Sequence, residues 1–250
     1  MKKLLAFNTV ATDTFPLHAG QTLPAGEYRL YRDYRDLNED NVTKQQEEEI
    51  LGWILSSPEG RSVLLQELGV GTDAFVALSV RQPIIERRNS KPGDIDLLIC
   101  EGNRADLAIG IQCKRVKVTA LNQQDDQCNK LPDITSGIKQ VNLQREKLGF
   151  HRNYLMIVIE TFGRNRSDST VLFRGPARDT LKEIYEFQRR ESLHTDVGII
   201  FVTVTQPTGK SFDNMSVIGV CVDQDATRLD QTDQLTNRIR ELMRQTKFDH

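Results

Sequence analysis

The 250-residue chain has no CxxC pair. Its cysteines, Cys100, Cys113, Cys128 and Cys221, are scattered, as are His18, His151, His194 and His250. That spacing argues against a zinc cluster or a disulfide framework, and Cys100 and Cys113 read as buried strand residues. No apolar run approaches the roughly 18 residues that a membrane-spanning helix needs. The opening Met1–Phe7 imitates a signal peptide, but Asn8 and Asp13 interrupt it before an apolar region is complete, so the protein reads as cytoplasmic with no membrane partner. Neither GxxxxGK nor GxGxxG occurs, nor a GxSxG elbow, which leaves phosphate-loop and serine-hydrolase chemistry without support. Excess charge of one sign is also missing. With 33 lysines and arginines against 35 acids the net charge is -2, so any surface for a polyanion must be local.

What is present suits one large soluble α/β domain: 38% hydrophobic and 27% charged residues, with no internal repeat or low-complexity linker. Residues 1–40 carry turn signals and the run Tyr28-Arg29-Leu30-Tyr31-Arg32-Asp33-Tyr34-Arg35. They read as an N-terminal appendage or an extra layer of the fold. A helix is expected over 41–57, capped by Asn41 or Thr43, with Glu47, Glu48 and Glu49 near the positive end of its dipole. Pro58 ends it, and a second helix over 58–68 is closed by Gly69 and Gly71. Three short apolar strands follow, over 75–85, 94–100 and 107–118, with connections short enough for an antiparallel meander. A polar loop over about 120–133 leads to a helix over 134–148. Residues 154–159 lack alternation and suggest a strand buried on both faces. A helix near 178–191, strands over 197–205 and 216–222, and a helix over 230–243 complete the chain. The expected division is a domain over 41–250, with its core in 41–160 and a C-terminal extension in 161–250.

The chemistry-bearing stretch is Gly93-Asp94-Ile95-Asp96-Leu97-Leu98, followed by Ile111-Gln112-Cys113-Lys114-Arg115. Side chains two apart on a strand share a face, so Asp94 and Asp96 are expected together, as are Gln112 and Lys114. Charged groups in the middle of apolar strands are costly unless paired or bound to an ion. Magnesium favours one or two carboxylates with water and phosphate oxygens, and a lysine supplies charge where a phosphodiester is attacked.

These residues resemble the PD-(D/E)xK nuclease superfamily, in which a strand acid is followed on the next strand by an acid-x-lysine triplet. Asp96 matches the acid, and Gln112-Cys113-Lys114 matches the triplet with glutamine in place of its acid. That glutamine form resembles restriction endonucleases of the Mrr type, which act on modified DNA. The order of helix, three-strand meander, helix and strand over 41–159 is similar to the core of that group. The resemblance implies a restriction-endonuclease-like α/β fold and a metal-dependent nuclease, a DNA endonuclease of restriction, defence or repair type. Asp96, Asp94 and Gln112 would hold Mg2+ or Mn2+, and Lys114 would stabilise the attack. It implies a further glutamate on the first core helix. The apolar direction of that helix lies closest to Glu47, with Glu48, Glu49 and Glu86 as alternatives.

Local charge fits such a substrate better than the total does. Between Arg81 and Arg152, thirteen lysines and arginines face nine acids, a net of +4, while the remainder carries −6. Arg87, Arg88, Lys91, Arg115 and Lys117 are the expected phosphate contacts, joined by Lys139 and Gln140 on the second core helix. The expected partner is double-stranded DNA, with a homodimer or a partner subunit to cut both strands. The alternative reading is a nucleic-acid-binding or protein-interaction domain on the same fold that does not cleave.

Overall fold

A computed structural model of the chain describes residues 16–18, 21–22, 29–32, 47–56, 58–80, 84, 94–102, 104–120, 126–129, 131–163, 175–190, 192–205 and 215–246. Among these, two helices lead into the main sheet. Helix α1 (Glu47–Ser56) is followed by α2 (Pro58–Glu67). Helix α2 ends as expected, with Gly69 at φ 65 and the Val70 amide donating back to Leu65 O. The proposed caps Asn41 and Thr43 lie outside the described residues.

Next come β4 (Phe75–Val80), β5 (Ile95–Cys100) and β6 (Ile109–Ala120), all antiparallel neighbours, which is the expected meander. Strand β8 (Arg152–Gly163) then pairs parallel with β6, a connection that needs a crossover, and α3 (Leu131–Lys147) supplies it. Strand β9 (Val197–Thr205) extends the parallel part beyond β8, after α4 (Arg178–Arg190). Strand β10 (Met215–Gln224) returns antiparallel to β9, and the chain closes with α5 (Asp233–Thr246).

Near the start, β1 (Pro16–His18) and β2 (Gln21–Thr22) form a separate two-stranded hairpin. Strand β3 (Arg29–Arg32), inside the tyrosine-arginine run, adds the outermost strand beside β10. The order across the sheet is β3-β10-β9-β8-β6-β5-β4.

The fold is a mixed sheet with helices on both faces. Against one face, Ile50, Leu51 and Ile54 of α1 and Leu64, Leu65 and Leu68 around α2 meet Leu97, Ile111, Met156, Val158 and Val202. Against the other, Ile134, Ile138 and Val141 of α3 and Leu181, Ile184 and Tyr185 of α4 meet Val116, Leu155, Ile157, Ile159 and Phe201. Strand β8 feeds both layers in alternation. This explains its unbroken apolar run: every residue from Tyr154 to Ile159 is buried. Each such side chain contributes about 1.5–3 kcal/mol relative to remaining in water.

Three expectations are corrected. The segment read as a polar loop contains β7 (Asp126–Asn129), which pairs antiparallel with Lys117–Ala120. Strand β6 runs two residues further than its apolar pattern indicates and so offers Asp126–Asn129 a ladder, while Cys128 packs against the core. Strand β5 begins at Ile95, so Asp94 precedes it. Strand β4 is described over Phe75–Val80, and of the remaining stretch read as strand only Ile84 is described, which lies in a turn.

Candidate functional site

Strands β5 and β6 pair only from Leu97↔Ile111 to Ile99↔Ile109, and then their ladder stops. Asp96 and Gln112 stand at that point. Gln112 Nε2 donates to Asp96 Oδ2 at 2.8 Å and to the Asp94 carbonyl oxygen at 2.8 Å. The Cys113 amide donates to the same Asp96 oxygen at 2.6 Å. The Asp96 carboxylate therefore takes over the acceptor role that a ladder carbonyl would have, and hydrogen bonds to a charged acceptor are worth about 1.5–3 kcal/mol each. Gln112, 2% exposed, spends its amide hydrogens as a bracket across the parting strands.

Two residues further on β6, Lys114 is 8% exposed and lies on the face that α3 covers. Its side chain passes directly against the backbone of Gly137. An amine carried on a buried stem has its direction fixed by packing, unlike a surface lysine. Gln140, one turn after Gly137, is half-buried, and its Oε1 is a buried acceptor without a hydrogen-bond partner. Lys139 is exposed.

On the other side of Asp96, the β4 register passes from Leu78↔Leu97 to Val80↔Ile95, which sets Ser79 opposite Asp96. Ser79 has φ 50, in the left-handed region that non-glycine residues rarely occupy. The candidate acid thus has an irregular strand on one side and a broken ladder on the other. Sequence reasoning singled out neither Ser79 nor Gly137. A serine in a strand pattern carries no sign of positive φ, whereas a glycine in the middle of a helical stripe was a usable signal of close approach.

Arg115 is corrected as a phosphate contact. It points to the opposite face from Lys114, is 1% exposed, and its Nε donates to Glu160 Oε2 of β8 at 2.6 Å. A guanidinium enclosed with a carboxylate in the sheet core is not presented to a ligand. Lys117 lies half-buried where β6 meets β7. Arg87, Arg88, Lys91 and Glu86 lie outside the described residues. Glu47, Glu48 and Glu49 form the first turn of α1, and their side chains are outside the description.

For a divalent ion, the fit divides. Magnesium needs only one or two protein carboxylates, and Asp96, with half-exposed Asp94 two positions before it in sequence, supplies that number. Gln112 does not fit as a ligand in this arrangement: it turns hydrogens, not oxygen, toward Asp96. Among the described residues, no three histidine, cysteine, aspartate or glutamate side chains gather into a metal-holding group. No helix among them is long and apolar enough to cross a membrane.

No protein-family model matches the chain, and no curated protein matches it. The chain is similar to a solved structure of SfsA from Pyrococcus furiosus in complex with Ca2+. Identity is 13% over 86% of this chain and 75% of that one, with a TM-score of 0.27, too low to carry an argument.

Proposed function

We propose that the chain is a metal-dependent nuclease that hydrolyses phosphodiester bonds in double-stranded DNA, in the manner of the PD-(D/E)xK group. The observation that carries this reading is the bond from Gln112 to Asp96 where β5 and β6 part, with the enclosed Lys114 two residues further along β6. A carboxylate, an amide and a buried-stem lysine are costly to keep in an apolar sheet, and chemistry on a phosphodiester uses an acid and a cation at such a place.

In this reading Asp96 and Asp94 hold Mg2+ or Mn2+. When bound, such an ion lowers the pKa of a water and offsets charge on the phosphate. Gln112 fixes the Asp96 carboxylate, so its orientation is set before substrate arrives. Lys114 brings an ammonium to the phosphate, where its charge favours the more negative transition state. Lys139, exposed on α3, contributes to phosphate attraction.

The test is incubation of supercoiled plasmid with magnesium, manganese or EDTA. Metal-dependent nicking or linearisation is expected, and its absence in all conditions contradicts the reading.

A second reading has its own support. Gln112 occupies the triplet's acid position and bonds to Asp96, a structural use that needs no catalysis. A non-cleaving nucleic-acid-binding domain would shift plasmid in a salt-sensitive way without metal-dependent cutting.

A further inference from the structure

We infer that Gly137 is a positioning residue for Lys114: the missing side chain on α3 forms the channel through which the lysine stem reaches the site. The inference rests on the reading that Lys114 acts there, and it adds a residue that neither the motif nor its spacing assigns.

Gly137 sits near the middle of a 17-residue helix, Leu131–Lys147. Apart from proline, glycine is the least favourable residue in a helix interior, so its presence there calls for a compensating contact. That contact is specific. A Cβ at position 137 would lie 2.4 Å from Lys114 Cγ and 3.2 Å from Lys114 Cδ, with Leu155 Cδ1 at 3.1 Å. Separations under 3.0 Å force something to move, and the nearest atom lies near the root of the lysine side chain, where little freedom remains. Gly137, Ile138, Ile134 and Val141 are all buried against the sheet, so lifting α3 locally would unpack these contacts. A methyl at 137 must therefore turn Lys114 to another rotamer. The Leu155 contact needs only a few tenths of an ångström from the end of a flexible chain.

The experiment is a double-mutant cycle on the full chain: wild type, Gly137→Ala, Lys114→Ala and both together, followed by thermal unfolding. Gly137→Ala is expected to lower the midpoint by several degrees when Lys114 is present. In the Lys114→Ala background it should leave the midpoint unchanged or raise it, because the obstruction is gone and alanine favours helix. Should Gly137→Ala alone fail to fold, a folded double variant carries the same meaning, and a double variant that also fails overturns the inference. The second readout is the Lys114 amine resonance in 13C-methylated protein, assigned by its absence from Lys114→Arg. It should move in Gly137→Ala while the Lys139 resonance stays in place. Equal losses in both backgrounds, or an unmoved Lys114 resonance, would show that Gly137 serves helix packing alone. None of these readouts needs cleavage. A wild type that never cuts plasmid overturns the nuclease reading, while the cycle decides the role of Gly137 separately.

Discussion

Replacing Glu160 by glutamine removes the carboxylate facing Arg115 in the interior of the sheet. The two side chains are 0% and 1% exposed, and Arg115 Nε approaches Glu160 Oε2 to 2.6 Å. Solvent does not screen a pair so enclosed, and removing one partner of a buried ion pair costs about 3–5 kcal/mol. A domain of this kind has about 5–15 kcal/mol in total. At about 2–4 °C per kcal/mol for this size, the midpoint should fall by about 6–20 °C. Arg115→Met should cost a similar amount. Changing both, to Arg115→Met with Glu160→Leu, should recover most of the loss, since paired apolar groups also satisfy a buried site. Urea denaturation followed by circular dichroism measures all four proteins. Single losses below about 1 kcal/mol, the range of exposed pairs, would refute the enclosure of this pair.

Two further outcomes follow from charge and burial. Arg145 of α3 bonds Asp196 just before β9, and that hydrogen bond, ahead of the charge attraction, holds the Asp196 carboxyl below its ordinary range. A depressed folded pKa gives stability that is present above the unfolded value of about 3.9 and is lost as pH falls through the folded value. Asp196→Asn should therefore flatten the fall in unfolding midpoint between about pH 5 and pH 2, and an unchanged acid slope would contradict this. Burial pushes the Cys100 and Cys221 thiols up to about 12, with nearby acids adding to it. At pH 8 their thiolate fraction is on the order of 10⁻⁴, so a thiol reagent should label them only on unfolding; labelling at the rate of a free cysteine in the native protein would count against this burial.

Much of this architecture was legible because burial leaves a periodic trace. The unbroken apolar run at Tyr154–Ile159 announced a central strand, and the helix expected over 134–148 is the one that crosses over to it. Asp96, Gln112 and Lys114 were legible because polar groups interrupt apolar strands at matching positions. What escaped was set by tertiary pairing. Asp126–Asn129 forms a strand where β6 offers it a ladder, and Arg115 is interior where Glu160 stands on the neighbouring strand, 45 residues away. A one-dimensional reading treats an arginine after Lys114 as surface charge, and nothing local corrects it. Likewise, nothing local showed that β5 begins one residue after Asp94 or that the Asp94 carbonyl accepts from Gln112.

That same network decides how the site is best tested. Asp96→Ala would remove an acceptor used by both the Cys113 amide and the Gln112 side-chain amide, so lost activity and lost folding would be confounded. Asp96→Asn keeps an acceptor and removes the charge, and Lys114→Met keeps an apolar stem and removes the ammonium. The most direct measurement is plasmid cleavage by these two proteins beside wild type under excess enzyme with manganese, each first checked for native circular dichroism. Cleavage by wild type and a loss of about 10²-fold or more in both variants is the predicted result. Cleavage that continues at the wild-type rate in either folded variant would contradict the assignment of chemistry to the parting of β5 and β6.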